Sequence, residues 1–335
     1  MEAIFLVGGK GTRLHPLTLE RPKPMLKVAG VPFIAHQIGY AIAHGITRIV
    51  VATSYKTEQF LHYLGDGSAF GIEIVHAIEE EPLGTGGAIS NASAYLTSGE
   101  SEPVAILNGD ILSAHDIGAQ IHVHKERGAD VTLHLIEVDD ARPYGSVPTD
   151  SEGCILEFIE KSDAPPTNFI NAGSYIFTRS VIDEIPKGKV VSVERETFPE
   201  LLSEGRKLWS FKSRDYWIDI GTPKALLKAS QDLLYGVFHS PALSPVALTA
   251  KKFVDEQADI DPSAQIGIGC AVGACTVGAD VIIEASLVGD GVVIGAGANI
   301  RASIIGDGAT VEAGAVLRES VLGGSGMQIA PQSLE

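Results

Sequence analysis

The pattern of apolar and polar residues along the chain changes towards the C-terminus, and its first part alternates between two periods. Short β-branched runs, the first at residues 3–8, are typical of buried strands. Between such runs, Ile34, Ile38 and Ile42 recur every four residues ahead of Gly45, which predicts an amphipathic helix with a C-terminal stop signal. Strands that alternate with helices predict an α/β domain with a doubly wound, mostly parallel, Rossmann-like sheet.

Residues 255–335 follow a different rule, in which an aliphatic residue occupies every sixth position and glycine often comes next. Three runs share this period: Ile260, Ile266 and Val272; Ile282, Val288, Ile294 and Ile300; Ile305, Val311 and Leu317. An aliphatic at every sixth position is the hexapeptide signature of a left-handed parallel β-helix, in which the aliphatic points inward and three hexads close one coil. A β-helix is therefore expected after the α/β domain.

The two patterns divide the chain into four expected segments. A linker is expected where two prolines, small residues and a lysine pair come together in "HSPALSPVALTAKK". The expected segments are an α/β domain at 1–237, a linker at 238–254, a β-helix at 255–325 and a tail at 326–335.

Composition narrows the possible partners. A net charge of −17 and a pI near 5.0 argue against nucleic acid as a general partner. No apolar run is long enough to span a bilayer, and no secretion signal is recognisable, so no membrane partner is expected. Cys154, Cys270 and Cys275 form neither an even framework nor a CxxC motif, which favours free thiols and a cytoplasmic protein.

Positive charge is nevertheless concentrated at the N-terminus. The first thirty residues hold two carboxylates against five cations: Lys10, Arg13, Arg21, Lys23 and Lys27. Such a cluster in an acidic chain indicates an anionic ligand.

The stretch "LVGGKGTRLHPLTLERPKPM", residues 6–25, supports a phosphate ligand. Its glycines let backbone amides approach phosphate oxygens, and Arg13 adds a bidentate donor. Lys23 lies between two prolines that restrict its backbone. The stretch has neither Walker A spacing nor the third glycine of a dinucleotide fingerprint, so an ordinary glycine-rich turn remains an alternative.

The same stretch, followed in order by "EEEPLGTGGAI", "VAILNGDIL", "YGSV", "FIEKS", "NAGSYIF", "SVERETFPELL" and "YWIDIGTPKALL", resembles the sugar-nucleotide pyrophosphorylases. The resemblance covers nearly all of residues 3–230 and is greatest to the guanylyltransferases that act on mannose 1-phosphate. It implies that GTP and mannose 1-phosphate give GDP-mannose and pyrophosphate, with the sugar phosphate oxygen attacking the α-phosphorus. Some members of that group also carry a C-terminal hexapeptide β-helix.

The resemblance implies roles for individual residues. The nucleotide would be bound by Leu6, Gly8, Gly9, Gly11, Thr12, Arg13, Lys23, Glu80, Gly84, Thr85 and Asp110. Catalysis would rest on Arg13 at the β- and γ-phosphates, on Lys23 at the reacting centre, and on the carboxylates of Asp110 and Asp219. These two carboxylates would hold Mg²⁺, the implied cofactor. Thr85 is also expected to cap the helix that follows it.

The sugar phosphate would be bound by Gly145, Glu160, Lys161 and Asn171, with Glu160 accepting hydroxyl hydrogen bonds and Lys161 pairing with the phosphate. From the residues alone, purely structural roles remain alternatives for some of these positions. Asp110 fits a turn after a strand, and Asp219 fits a helix cap before Thr222. The pair at 160–161 fits an exposed strand end.

Other functions are compatible with parts of the pattern. The base and hexose could differ, giving a uridylyl-, thymidylyl- or adenylyltransferase that acts on glucose 1-phosphate. A non-catalytic regulatory paralogue would share the layout, but the charged site residues are all present. A hexapeptide acyltransferase needs an imidazole base near its β-helix, and the last histidine is His239. The β-helix is expected to supply contact area for a homo-oligomer.

Overall fold

A computed structural model describes residues 1–159 and 162–324, together with the backbone of residues 332–333. The chain forms two compact units. The sheet unit comprises residues 1–9 and 41–217, and the β-helix unit comprises residues 10–40 and 218–335. None of the helices among the described residues is long and apolar enough to cross a membrane.

The regular elements up to residue 250 alternate as the sequence predicts. The strands are β1 (Glu2–Leu6), β2 (Lys27–Val28), β3 (Val31–Pro32), β4 (Arg48–Thr53), β5 (Glu73–Ile78), β6 (Pro103–Asn108), β7 (Ile111–Ser113), β8 (Val131–Glu137), β9 (Phe169–Thr178), β10 (Leu208–Ser213) and β11 (Trp217–Asp219). The α-helices are α1 (Phe33–Ala43), α2 (Thr57–Leu64), α3 (Gly84–Ser93), α4 (Ile117–Arg127), α5 (Arg179–Glu184), α6 (Phe198–Ser203), α7 (Pro223–Leu234) and α8 (Pro245–Ala250). The predicted helix before Gly45 is confirmed as α1.

The sheet unit is built on a seven-stranded sheet in the order β10-β8-β9-β6-β1-β4-β5. Neighbouring strands run parallel, except that β9 runs antiparallel to β6 and β8. Apolar strand residues such as Ile4, Val50 and Ile106 are fully buried, which explains the continuous β-branched runs. The predicted doubly wound, mostly parallel fold is confirmed, and the carboxyl ends of β1, β4, β5 and β6 lie along one edge.

The β-helix follows in short strands: β12 (Phe253–Val254), β13 (Asp259–Ile260), β14 (Gln265–Ile266), β15 (Ala271–Val272), β16 (Thr276–Val277), β17 (Ile282–Glu284), β18 (Leu287–Val288), β19 (Val293–Ile294), β20 (Asn299–Arg301), β21 (Ile304–Ile305), β22 (Thr310–Val311), β23 (Val316–Arg318), β24 (Ser320–Leu322) and β25 (Gln332–Ser333). They form three sheets, β12-β15-β18-β21-β24-β25, β13-β16-β19-β22 and β14-β17-β20-β23. All pairs are parallel except β24 with β25. The predicted left-handed parallel β-helix is confirmed.

One inward position in the β-helix was predicted wrongly. Ile283, which is fully buried, and not Ile282 stacks between Ile266 and Ile300. A six-residue period cannot decide which of two adjacent isoleucines points inward, because the spacing between successive inward residues in this structure is not always six. Residues with positive φ, such as Ala285 at 48° and Ala302 at 45°, lie in the shorter steps and turn the chain early.

The segment expected as a linker contains α8 and β12, and β12 pairs with β15 in the first β-helix sheet. The His36 ring bonds through Nδ1 to the Ser240 hydroxyl at 2.7 Å, and both side chains are buried. Residues 238–254 thus pack within the β-helix unit. The proposed domain boundaries stay predictions, and the expected tail lies outside the described residues apart from the backbone of residues 332–333.

Two buried histidines in the sheet unit predict acid sensitivity. The His115 and His134 rings stack with centroids 3.9 Å apart, and burial lowers the pKa of His115 to about 4 and that of His134 to about 2. Below pH 6.5 the unfolded chain gains protons that the folded chain does not bind. Stability should therefore fall as the pH drops from 6.5 towards 4, by about 1.4 kcal/mol per pH unit for each such histidine.

Urea unfolding of the wild type between pH 7.5 and pH 5 measures this slope. His134→Gln should make it shallower. His122→Gln is the matched control, because the His122 side chain is 79% exposed. Equal slopes for the wild type and His134→Gln would contradict the assignment.

Candidate active site

We call residues 7–26, between β1 and β2, the opening loop, and its first three residues lie in the sheet unit directly after β1. A side chain at Gly8 would place its Cβ 2.9 Å from the Ser54 Oγ, which follows β4, whereas Gly9 has open space around it. The Ser54 hydroxyl donates a hydrogen bond to the Gly8 carbonyl at 3.2 Å. Gly8 therefore lets the loop pass close to β4, and Gly9 leaves backbone accessible to a ligand.

The rest of the loop lies in the β-helix unit and turns at Gly11. Gly11 has φ 62°, and its missing Cβ would lie 3.1 Å from side-chain carbons of Thr18 and Lys23. The Thr18 hydroxyl donates to the Gly11 carbonyl at 2.8 Å. A left-handed backbone with close neighbours requires glycine here. The turn leads into a short 3₁₀ helix, Thr12–Leu14, that carries Arg13.

Three of the predicted catalytic residues meet within the β-helix unit, and we call them the Arg13–Lys23–Asp219 cluster. The Lys23 Nζ donates to the Asp219 Oδ1 at 3.2 Å, and the Arg13 Nη2 lies 3.6 Å from the Asp219 Oδ2. The Gly221 amide also donates to the Asp219 Oδ1, at 2.7 Å. Two cations around one carboxylate leave a net positive charge, which suits a polyanionic ligand.

The two cations differ in exposure. The Lys23 side chain is 8% exposed, while that of Arg13 is 66% exposed. Lys23 is held by a 3₁₀ turn, Lys23–Met25, that begins after Pro22. The buried lysine thus has a fixed position, while the arginine fork can reach into solvent to grip a phosphate.

Asp110 lies in the sheet unit, in the turn between β6 and β7. The preceding Gly109 donates from its amide to the Leu6 carbonyl at 2.9 Å, and a Cβ there would come within 2.7 Å of the same oxygen. The turn is therefore pressed against the end of β1, and Asp110 follows at the edge where the opening loop begins.

The donor set of these carboxylates fits Mg²⁺ better than a soft metal. Among residues 1–159 and 162–324, no three or more His, Cys, Asp or Glu side chains gather into a protein-only metal site. Mg²⁺ is usually bound by one or two carboxylates, with phosphate oxygens and waters completing the octahedron. Asp110 and Asp219 are residues of that kind.

The loop after β5 is organised by a residue that sequence reasoning missed. Glu79 is buried and accepts a hydrogen bond from the Leu83 amide at 2.9 Å, and burial raises the pKa of its carboxyl group. Glu80, the predicted ligand, is exposed. Three consecutive glutamates in the sequence gave no signal that the first closes the loop and the second faces outward. At the loop's end, Gly84 has φ 72°.

The predicted capping role of Thr85 is wrong. The helix α3 already begins at Gly84, after Leu83 as its N-cap residue, so that Thr85 lies inside the first turn. The Thr85 hydroxyl instead donates to the Glu194 Oε2 at 2.9 Å and accepts from the Val193 amide at 2.9 Å. Tertiary partners thus take the hydroxyl that a local cap would have used.

Glu194 connects this helix to the predicted sugar residue Asn171. The Tyr175 hydroxyl donates to the Glu194 Oε1 at 3.2 Å and accepts from the Asn171 Nδ2 at 2.8 Å. Tyr175 is fully buried, and burial raises the pKa of its hydroxyl well above 10. Glu194 was also missed, because "SVERETFPELL" suggests helix capping as readily as a buried network.

Of the other predicted sugar-side residues, Gly145 lies near the start of β9. Ser146, next to Gly145, pairs with Ile170 and Ile159 in short bridges. Gly145 and Asn171 each lie next in sequence to one residue of the Ser146–Ile170 bridge, so they are close to each other in the sheet unit. Glu160 and Lys161 lie outside the described residues.

Comparison with known proteins identifies the family. Residues 2–236 match the family model described as nucleotidyl transferase. The chain belongs to the nucleotidyl transferase family. Residues 248–334 match a second model, described as the GMPPB C-terminal domain.

Named relatives of this nucleotidyl transferase cover most of its length. It is 44% identical over 294 residues to a mannose-1-phosphate guanylyltransferase of Mycobacterium tuberculosis, covering 87% of this chain and 80% of the relative. It is 37% identical over 269 residues to a mannose-1-phosphate guanylyltransferase catalytic subunit beta of Drosophila melanogaster, covering 80% and 71%. Among solved structures, HddC from Yersinia pseudotuberculosis complexed with GMP-PN superposes with a TM-score of 0.60 at 32% identity, covering 69% of this chain and 98% of HddC.

The buried network predicts a stability effect in this nucleotidyl transferase. Tyr175→Phe should lower the free energy of unfolding by about 1–3 kcal/mol, because the Asn171 amide and the Glu194 carboxylate each lose a hydrogen-bond partner. Urea unfolding measures the loss. Tyr95→Phe is the control, since Tyr95 is 41% exposed. Equal midpoints for the two variants would show that the network adds little.

Proposed function

We propose that this protein transfers a guanylyl group from GTP to mannose 1-phosphate, giving GDP-mannose and pyrophosphate. The observation that carries the proposal is the Arg13–Lys23–Asp219 cluster, found in a chain that is 44% identical to a named mannose-1-phosphate guanylyltransferase. A second named relative, at 37% identity, supports the same substrates.

The reaction needs positioning more than it needs a protein nucleophile. An oxygen of the sugar phosphate forms a bond to the α-phosphorus of GTP, and the bond between that phosphorus and the oxygen bridging to the β-phosphate breaks. The electron pair leaves with pyrophosphate. Because the attacking oxygen is already anionic at neutral pH, the protein has to align two polyanions and offset the charge that develops on the leaving group.

Each unit carries residues that we propose for the nucleotide. In the sheet unit, backbone at Leu6, Gly8 and Gly9 would line the nucleotide, and Glu80, Gly84 and Thr85 would border the base. In the β-helix unit, Gly11 and Thr12 would contact phosphate. There Arg13 would bind the β- and γ-phosphates, and Lys23 would lie at the reacting phosphorus.

We propose that residues of the sheet unit bind the sugar phosphate. Gly145 and Asn171 are among the residues that the structure describes, and Glu160 and Lys161 complete the proposed set. Asp110 and Asp219 would hold Mg²⁺, which when bound supplies positive charge to the phosphate oxygens. Asp219 has a second task that its contacts support: it holds Lys23 and Arg13 in place before a phosphate arrives. A homo-oligomer in solution is also proposed.

A pyrophosphate-release screen tests the proposal. GTP, ATP, UTP and dTTP are each offered with mannose 1-phosphate and with glucose 1-phosphate in the presence of Mg²⁺. The expected result is release with GTP and mannose 1-phosphate well above every other pair. Release with no pair from folded protein would refute the transfer reaction. A preference for dTTP or UTP would refute guanylyl transfer alone.

A further inference from the structure

The β-helix presents two stacked carboxylates to the opening loop, which we call the acidic ladder: Asp290 and Asp307. The Arg21 guanidinium contacts both, with its Nε hydrogen-bonded to Asp307 and its Nη2 3.5 Å from the Asp290 Oδ2. The Lys27 Nζ donates to the Asp290 Oδ1 at 2.7 Å. All four side chains belong to the β-helix unit and are about one-third exposed or less.

The ladder is fixed by the backbone of neighbouring coils. The Asp290 amide donates to the Asp307 Oδ1 at 2.9 Å, and the Ala274 amide donates to the Asp290 Oδ1 at 3.1 Å. Each carboxylate occupies space that a side chain would need, since a Cβ at Gly273 or Gly289 would lie 2.5 Å or 2.4 Å from it. Glycine at positions 273 and 289 therefore leaves room for the two carboxylates, which the backbone amides fix at one corner of the β-helix.

The face beside the ladder is covered within the same unit. The outward residues Ala271, Leu287 and Ile304 are only 4–6% exposed, whereas the outward Val293 and Val316 on other faces are 48% and 62% exposed. A small cavity of about 70 Å³ lies beside the covered face, and its lining includes Leu17, Leu26 and Leu226. This apolar face is thus covered by residues of the same chain, from the segment at 17–26 and from α7.

Arg21 and Lys27 bracket the buried lysine of the site. Arg21 precedes Lys23 by two residues, with only Pro22 between them, and Lys27 follows it by four. The intervening backbone is restricted by prolines on both sides of Lys23 and by the Leu26 amide, which bonds to the Lys23 carbonyl at 3.1 Å. A displacement of Arg21 or Lys27 should therefore also displace Lys23, because the backbone between them has little conformational freedom.

We infer that the β-helix is a positioning element for catalysis, in which the acidic ladder holds Arg21 and Lys27 and thereby sets the position of Lys23. Arg21, Lys27, Asp290 and Asp307 are positioning residues that do not touch the substrate. The inference rests on the proposed function of Lys23. It gives the C-terminal repeat a role within each chain, separate from any role in assembly.

The double variant Asp290→Asn/Asp307→Asn tests the inference in the full-length protein. It should lower kcat about 10-fold, since a displacement of about 1 Å in a positioned group can cost up to about 100-fold. The KM for mannose 1-phosphate should stay within about 2-fold, because Lys23 is assigned to the reacting phosphorus and not to the sugar. Hydrogen exchange of the backbone amides of residues 10–27 should become faster.

Glu284→Gln is the matched control. Its carboxylate forms an ion pair with Arg301 at 3.2 Å within the β-helix. Its kcat and its exchange at residues 10–27 should equal those of the wild type. Arg21→Gln should reproduce the loss seen in the double variant, and Arg21→Lys should restore part of it, which also covers the case that the double variant fails to fold.

Three outcomes would overturn the inference: unchanged kcat and exchange in the ladder variants, an equal loss in Glu284→Gln, or a lower melting temperature with kcat per folded molecule unchanged. If the wild type itself releases no pyrophosphate, the proposed function fails. The exchange measurement then still decides whether the ladder anchors residues 10–27.

Discussion

Replacing Lys23 by methionine should reduce kcat for GDP-mannose formation by about 10³-fold, at the upper end of what one lost charge-stabilising donor costs. The Lys23 amine is proposed to offset negative charge at the reacting phosphorus, a demand that is greatest in the transition state. Methionine has a similar length and packs in the same space, so the 3₁₀ turn at Lys23–Met25 should persist.

The control for this substitution is Lys224→Met. Lys224 belongs to α7 in the same unit and is exposed, so its loss should leave kcat unchanged. Steady-state pyrophosphate release gives kcat, and the melting temperature reports folding. If Lys23→Met keeps more than about a tenth of wild-type turnover, Lys23 serves the Asp219 ion pair and not the reaction.

The roles of the five cations in the first thirty residues could be predicted from the sequence only in part. Their charge predicted an anionic ligand, and for Arg13 and Lys23 that prediction still stands. Arg21 and Lys27, however, pair with Asp307 and Asp290 of the same chain. Their partners are more than 260 positions away in the sequence, and local composition cannot predict which residues so far apart will pair.

The folds of both parts could be predicted because their periodicities extend over many residues. The hexad pattern identified the β-helix, and the alternation of strands and helices identified the parallel sheet. What failed were single-residue assignments where two solutions share one pattern. Ile282 and Ile283 both satisfy an aliphatic position, and Thr85 satisfies both a cap and a tertiary hydrogen bond to Glu194.

Polar residues that organise the site through their hydrogen bonds were the least predictable part. Glu79 and Glu194 lie in motifs that carry the family resemblance, yet the role of Glu79 depends on the Leu83 amide four positions later, and that of Glu194 on the Thr85 hydroxyl 109 positions earlier. A carboxylate that closes a loop and one that binds a ligand have the same spacing in a sequence. Only the fold, which brings Leu83, Thr85 and Tyr175 to them, separates the two.

Asp219→Asn should lower kcat by about 10²-fold, and two separable causes are expected to contribute to this loss. An asparagine keeps an oxygen to accept the hydrogen bond from the Gly221 amide, so the local turn should survive. It removes the negative charge that holds Lys23 and Arg13, and it also removes a carboxylate proposed to bind Mg²⁺. Asp215→Asn, which changes an exposed carboxylate four residues earlier, is the control.

A Mg²⁺ titration of activity separates the two causes. If Asp219 supplies an oxygen to the metal, the variant should need a higher Mg²⁺ concentration for half-maximal activity, because one hard anionic donor is gone. If Asp219 acts only through Lys23 and Arg13, kcat should fall while the Mg²⁺ midpoint stays that of the wild type. We expect the midpoint to rise together with the loss of kcat, since the carboxylate is proposed for both tasks. Near-full activity of Asp219→Asn at saturating Mg²⁺ would exclude the pairing role, and an unshifted midpoint would remove Asp219 from the metal site.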